Sequence, residues 1–256
     1  MKLRADELLT KKRMARTRSQ AANFIRMGKV FVGQTPITKP GELIDETSDV
    51  RPFFRGNDCI RGRGTALPRS PMDLHVNFKG ESSFLDVGSS TGGFTDFALQ
   101  HGAKKVIAVD VGSKQLHPSL RRHPRIELHE RTDIRDVRLR RTGQGAQSTE
   151  QRVHIDVPDV IVVDVSFISL REVLPHCSKL MTHNTQLVAM VKPQFEAQKT
   201  GVKHKGVIKN KAMRRDVLKD FQSWAKNVFT IQDKADSEVT GSKGNVERFY
   251  LLKKTS

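Results

Sequence analysis

Phe84-Leu85-Asp86-Val87-Gly88-Ser89-Ser90-Thr91-Gly92-Gly93-Phe94 is a short apolar run that breaks into a turn of small residues and glycines. Such a run predicts a buried strand, and the glycines after it predict a turn into the next helix. Glycine at that turn lets the backbone approach a ligand with no Cβ in between. The spacing is not the dinucleotide fingerprint G-x-G-x-x-G, and no Lys-Ser/Thr pair follows to make a phosphate loop. A helix N-terminus here suits a carboxylate, such as that of the methionine part of S-adenosylmethionine. Asp86, Gly88, Ser89, Ser90, Thr91, Gly92, Gly93 and Phe94 are therefore the first candidate cofactor residues.

Outward from this turn, apolar strands alternate with helical stretches. Strands are predicted at Ser83 to Val87, Lys105 to Val109, Ile126 to His129, Val160 to Val165, Gln186 to Val191, Phe229 to Ile231 and Phe249 to Lys253. Helices between most of them predict a doubly wound, Rossmann-like α/β domain with a mostly parallel sheet. The polar, glycine-containing stretch from Arg138 to Arg152 reads as a surface loop.

Ligands in open parallel sheets bind beyond the carboxyl ends of the strands, which selects further residues. Asp110, with Val111 beside it, ends the second strand, where a carboxylate can accept hydrogen bonds from two adjacent ribose hydroxyls. Asp133, with Ile134 beside it, follows the third strand and could accept from an adenine amino group. Asp164 closes Val160–Val163, Lys192 closes Leu187–Val191, and Glu247 precedes Phe249–Leu252. A lysine among carboxylates is often a structural ion pair, so these residues alone leave a catalytic or a structural reading open.

The 256 residues carry a formal net charge of +17, which points to a polyanionic partner, nucleic acid ahead of an anionic membrane. Hydrophobic residues are 36% of the chain and form organised runs, so the protein reads as globular rather than disordered. No stretch reaches the roughly 18 apolar residues of a membrane span. Cys59 and Cys177 are isolated, so metal binding is not expected and both read as reduced thiols of a cytoplasmic protein. The first 30 residues hold nine Lys or Arg against Asp6 and Glu7. Apolar residues at Leu8, Leu9, Met14, Ala21, Ala22, Phe24 and Ile25 make two short amphipathic helices of them. A short strand at Gly28–Gly33 completes a small module ending near Val50. A second basic segment, Lys199 to Arg215, follows Lys192, and its Lys199, Lys203 and Lys205 are expected to line the RNA approach to the site, with a plain solvated loop as the alternative.

Two family resemblances sharpen this reading. Thr17-Arg18-Ser19-Gln20-Ala21, Ile25 to Gly33 and Lys39-Pro40 resemble the RNA-binding domain named after ribosomal protein S4, whose basic helix faces lie against structured RNA. Arg4, Arg16, Arg18, Arg26 and Lys29 would each neutralise a phosphate there. LDVGSSTGGFTD (85–96), KKVIAVDVG (104–112), ERTDIRD (130–136), DVIVVDVSFISL (159–170), VAMVKPQFEA (188–197) and KGNVERFYL (243–251) resemble the FtsJ-like ribose methyltransferases. The whole chain resembles their TlyA-type branch, historically named haemolysins. The resemblance implies S-adenosylmethionine as cofactor, and ribosomal RNA or ribosomal subunits as partner. It implies transfer to a ribose 2′-hydroxyl through a Lys-Asp-Lys-Glu constellation, of which Asp164, Lys192 and Glu247 are three. Lys192 would deprotonate or orient the hydroxyl, Asp164 and Glu247 would hold and tune it, and Asp164 would also border the cofactor. The remaining lysine has no counterpart, because Ala66 stands at its position and Pro68 follows. Two readings therefore stay open, an active RNA methyltransferase and an RNA-binding or ribosome-assembly factor that keeps the fold. Membrane lysis has no apolar segment to support it. The expected organisation is an S4-like domain at 1–58, a linker at 59–82 and the methyltransferase domain at 83–256.

Overall fold

A computed structural model describes residues 2–12, 14–15, 18–26, 30–33, 35–52, 76, 81–140, 152–197, 206–208, 210–240 and 244–255. Arg16, Lys29, Ala66, Lys199, Lys203 and Lys205 lie outside the described residues, as do Cys59 and most of the 59–82 connector. The chain divides into two compact units, Met1–Asp58 and Cys59–Ser256.

In the first unit, β1 (Lys2–Arg4) leads into α1 (Ala5–Lys11) and then α2 (Arg18–Arg26). β2 (Val30–Val32), β3 (Thr35–Pro36), β4 (Leu43–Asp45) and β5 (Val50–Pro52) follow. β1 pairs antiparallel with β4, and β2 lies between β3 and β5. The two helices carry the apolar spacing expected of them. Ala5, Leu8, Leu9, Ala21, Phe24 and Ile25 bury one face against Val30, Ile37, Ile44 and Val50. The short pairs β1–β4 and β3–β2 were not predicted, since strands of two or three residues leave almost no periodic signal.

The second unit begins with β6 (Ser83–Val87), α3 (Gly93–Gln100), β7 (Lys105–Asp110), α4 (Pro118–Arg121) and β8 (Ile126–Glu130). A 3₁₀ turn at Ile134–Asp136 leads to β9 (Val137–Leu139), β10 (Val153–Ile155) and β11 (Val160–Val163). Then come α5 (Leu170–Lys179), β12 (Gln186–Val191), α6 (Pro193–Glu196), α7 (Lys211–Ala225), β13 (Phe229–Thr240) and β14 (Val246–Lys254). Seven of these strands form one sheet in the order β13-β14-β12-β11-β6-β7-β8. β12, β11, β6, β7 and β8 are mutually parallel, and β14 and β13 add an antiparallel edge.

Parallel strands covered on both faces should be apolar throughout, and they are. Alternate residues serve opposite faces. Leu85, Val87, Ile107, Val109, Ile161, Val163, Leu187 and Ala189 pack with α5 and α7 residues such as Leu174, Cys177, Leu218 and Phe221. Phe84, Val106, Val160, Val162, Val188 and Met190 pack with Phe94 and Ala98 of α3. Cys177 is a free, buried thiol, and burial pushes its pKa up to about 12, so it behaves as a core residue. Caps define the helix starts. Ser169 accepts from Arg171 N at 3.2 Å before α5, and Asn210 accepts from Ala212 N and Met213 N before α7.

In the second unit, two features depart from the sequence reading. The last hairpin is longer than predicted, because β13 continues through polar residues that pair with β14 across register shifts. β9 also runs into the stretch read as loop, pairing in parallel with β10.

Candidate active site

Strand order reverses between β6 and β11, which leaves a crevice beyond their carboxyl ends. β6 delivers the glycine turn to that crevice, and β11 delivers Asp164. Gly88 has φ +84, and a Cβ there would lie 2.4 Å from the Asp164 carbonyl oxygen. Only glycine permits this approach. Gly92, at φ +99, begins α3 against Leu116 and Leu120. Gly88 N and Ser89 N both donate to Val109 O, at 2.8 and 3.2 Å, so the turn is tied to the end of β7.

Asp110 completes the tie. Its Oδ2 accepts from Ser90 N and its Oδ1 from Gly112 N, each at 2.7 Å. The carboxylate therefore organises two backbone turns and keeps further lone pairs for a ligand. Val111 beside it is 71% exposed, an apolar side chain held at the sheet's carboxyl edge. Thr91 O accepts from His117 N, Phe94 is buried on α3 and Gly93 opens that helix.

Asp86 is fully buried within β6. Its Oδ2 accepts a 2.6 Å hydrogen bond from Thr95 Oγ1, while Oδ1 has no partner. Burial pushes this carboxyl up to about 7, against the opposing hydrogen bond from Thr95. Ser89 Oγ is a second buried atom without a partner. Buried polar atoms are normally satisfied, so a donor-bearing ligand at this turn answers both orphans. The turn, Asp110, Val111 and these two atoms thus fit a cofactor with an amino-acid head and a ribose.

Asp133 and Ile134 are placed differently. The Asp133 carboxylate binds the Arg135 guanidinium at 2.7 Å and caps the 3₁₀ turn through Arg135 N, which holds it below the usual carboxylate range. Ile134 buries its side chain in the core.

Asp164, Lys192 and Glu247 come together at the same end of the sheet. Lys192 leaves β12 as the N-cap residue of α6, and its Nζ lies 2.7 Å from Asp164 Oδ1. This is an ion pair outside hydrogen-bond angles. The directed hydrogen bond from Nζ goes to Ser166 Oγ, also at 2.7 Å. Glu247 on β14 is 8% exposed. Burial raises its carboxyl to about 7, with Lys192 opposing the shift and Asp164 adding to it. Among the described residues, no group of three or more His, Cys, Asp or Glu side chains could hold a metal ion.

Sequence reasoning missed Thr95, Ser166 and Phe167. Thr95 had a signal, since it lies in the first turn of the helix that follows the glycines. Ser166 and Phe167 had none, because loop conformation decides where they point. Phe167 has φ +69, is 86% exposed and touches Phe195 with ring centroids 5.3 Å apart. An exposed aromatic in a strained conformation beside a reactive cluster is a functional marker.

In the first unit, the Arg4 guanidinium binds Asp6 through two hydrogen bonds of 3.1 and 3.0 Å, and Arg18 Nη2 lies 3.4 Å from the same carboxylate. Asp6 thus holds two partly exposed arginines side by side. Arg26 is exposed on the last turn of α2. In the second basic segment, Arg214 is engaged by Asp236 and Val246 O, and Arg215 lies exposed beside Asp216. No helix among the described residues is long and apolar enough to cross a membrane.

Comparison with known proteins identifies the family. The FtsJ-like methyltransferase profile matches residues 71–254, and the S4 domain profile matches residues 3–50. YqxC of Bacillus subtilis (strain 168), provisionally named an rRNA methyltransferase, is 37% identical over 98% of this chain and 85% of its own. TlyA of Mycobacterium tuberculosis (strain ATCC 25618 / H37Rv), named a 16S/23S rRNA (cytidine-2′-O)-methyltransferase, is 34% identical over 98% of this chain and 89% of its own. A solved structure from Streptococcus thermophilus, provisionally named a hemolysin, is 31% identical with a TM-score of 0.65. That alignment covers 100% of this chain and 89% of the other. The chain belongs to the FtsJ-like methyltransferase family.

Proposed function

We propose that this protein transfers a methyl group from S-adenosylmethionine to a ribose 2′-hydroxyl of ribosomal RNA. The observation that carries the reading is the convergence of Asp164, Lys192 and Glu247 beside the glycine turn. The (cytidine-2′-O) activity in the name of the 34%-identical TlyA supports it. An S4-like match within the first compact unit supports an RNA partner. In this reading, residues 1–58 bind RNA, 59–82 connect, and 83–256 carry the chemistry, in the cytoplasm where ribosomes are made.

S-adenosylmethionine, when bound, supplies an electrophilic methyl group on a sulfonium sulfur. Asp86 and the turn from Gly88 to Gly93 would hold its amino-acid end, with Asp110 and Val111 at its ribose and adenine. Asp133, already oriented by Arg135, would face the adenine, while Ile134 supports that turn from the core. Lys192 directs one N–H to Ser166 and keeps its charge beside Asp164, which leaves N–H donors for the acceptor hydroxyl oxygen. Its contacts are those of a donor, so its task is to orient that oxygen for in-line attack, chiefly a matter of positioning. Glu247, with a carboxyl near pH 7, suits receipt of the hydroxyl proton. Phe167 offers an exposed ring on which a nucleobase can stack.

The test is label transfer from S-adenosylmethionine to purified ribosomal subunits, with alkaline-resistant dinucleotides reporting 2′-O-methylation. Lys192→Ala should abolish transfer while retaining cofactor binding. Transfer that survives this change would overturn the catalytic assignment. A second reading rests on Ala66, which stands where the family carries a lysine. Cofactor and RNA binding with no transfer to any subunit would favour that non-catalytic factor.

A further inference from the structure

Two chain segments leave the carboxyl ends of neighbouring parallel strands, residues 164–170 from β11 and residues 192–196 from β12. They run side by side and are joined at three levels. Nearest the strands, Lys192 meets Asp164 and Ser166. Next, Phe195 meets Phe167. Farthest out, Glu196 Oε2 accepts from Ser169 Oγ and its Oε1 accepts from Leu170 N, both at 2.7 Å.

The third level is buried and charged. Glu196 is 1% exposed and Ser169 is 4% exposed. Arg171 Nε lies 3.5 Å from Glu196 Oε2, and its guanidinium also bonds Asp220 and sits over the Trp224 ring. Burying a carboxylate is costly, and burial does push this carboxyl upward against its hydrogen bonds. Glu196 shares the capping of α5 with Ser169, taking Leu170 N while Ser169 takes Arg171 N. Glu196 also bridges the two segments, and does so through a buried carboxylate. Its own backbone N–H returns to Lys192 O at 3.3 Å, and Phe195 N reaches the same oxygen at 2.9 Å. The turn that ends on Glu196 therefore sets the direction in which Lys192 leaves the backbone.

We propose that Glu196, clamped on Ser169 and Leu170, is a positioning residue that holds Lys192 in register with Asp164 and Ser166. The inference rests on Lys192 as the residue that orients the acceptor hydroxyl. Loosening the clamp would let the 192–196 turn shift against the 164–170 segment, and shifts near 1 Å cost roughly 100-fold when chemistry depends on alignment. The cofactor turn belongs to a different strand, so cofactor affinity should be spared.

The experiment compares Glu196→Gln, Ser169→Ala, Ser169→Thr and Lys192→Ala in the full chain. The readouts are kcat, KM for ribosomal subunits, cofactor affinity by calorimetry and the melting temperature. Glu196→Gln and Ser169→Ala should lower kcat roughly 10- to 100-fold, with KM and cofactor affinity within about threefold. Ser169→Thr, which keeps the hydroxyl, should recover most of the rate. A lower melting temperature with kcat within twofold of the parent would make the cluster merely structural and overturn the proposal. So would losses confined to KM, or a Ser169→Thr variant no better than Ser169→Ala. If Glu196→Gln does not fold, the Ser169 pair decides alone. Activity retained by Lys192→Ala would instead defeat the functional reading beneath, which separates the two failures.

Discussion

Replacing Glu247 by glutamine should stabilise the folded protein while impairing its chemistry. Glu247 is buried, and its carboxyl is pushed from an ordinary value near 4.5 up to about 7. A carboxyl raised on folding binds its proton more tightly in the native state than in the unfolded chain. Its favourable contribution is full below pH 4.5, is lost as pH rises, and is gone above about 7. The displacement corresponds to about 3 kcal/mol at pH 8, at about 1.36 kcal/mol per pH unit. Glutamine resembles the protonated acid in size and carries no charge to desolvate. The variant should therefore exceed the parent by up to about 3 kcal/mol at pH 8, and match it within about 0.5 kcal/mol at pH 4.5. Denaturant unfolding of the cofactor-free proteins at both pH values measures the difference, and titrating groups distant from Glu247 cancel in the comparison. A variant less stable than the parent at pH 8 would refute the reasoning, as would a difference independent of pH. Stability gained by removing a site residue is the expected signature of a group kept for function.

Gly88→Ala places a Cβ 2.4 Å from a backbone oxygen at φ +84. It should cost roughly 2 to 5 kcal/mol and weaken cofactor binding at least tenfold; less than about 1 kcal/mol by denaturant titration would mean the crevice yields. Activity should rise with pH through a midpoint near 7 as Glu247 ionises, and Asp86→Asn should keep that limb, although Asp86 also sits near 7. A flat profile between pH 6 and 8 would remove Glu247 from proton transfer. Arg4→Ala and Arg18→Ala should each reduce the log–log salt slope of RNA binding by about 0.7 to 0.9. An unchanged slope means that the arginine held by Asp6 contacts no phosphate.

The parallel sheet was legible because its strands are covered on both faces, so each reads as an unbroken apolar run such as Val106–Val109 or Val160–Val163. The acids and the lysine that end those runs were legible for the same reason, as polar residues that a core would not need. Harder to read was any element too short for a period, such as β1 or β10. The extension of β13 was also hidden, because its residues are polar and pair only across bulges.

The sequence by itself determined the sheet, the glycine turn and the identity of the residues at its carboxyl edge, since local patterning records burial and punctuation. Tertiary structure decided what those residues do to each other. The carbonyl of Asp164 lies against Gly88 because β11 is the neighbour of β6, a pairing made across 76 residues of chain between Asp159 N and Ser83 O at its lower end. Asp110 spends its carboxylate on two turns, and Asp133 spends its own on Arg135. Ser166, Phe167 and Glu196 carry no signal of their own, because their roles come from loop direction and from burial beside a lysine distant in sequence. Electrostatic coupling depends on separation in space, and a linear pattern does not record that separation.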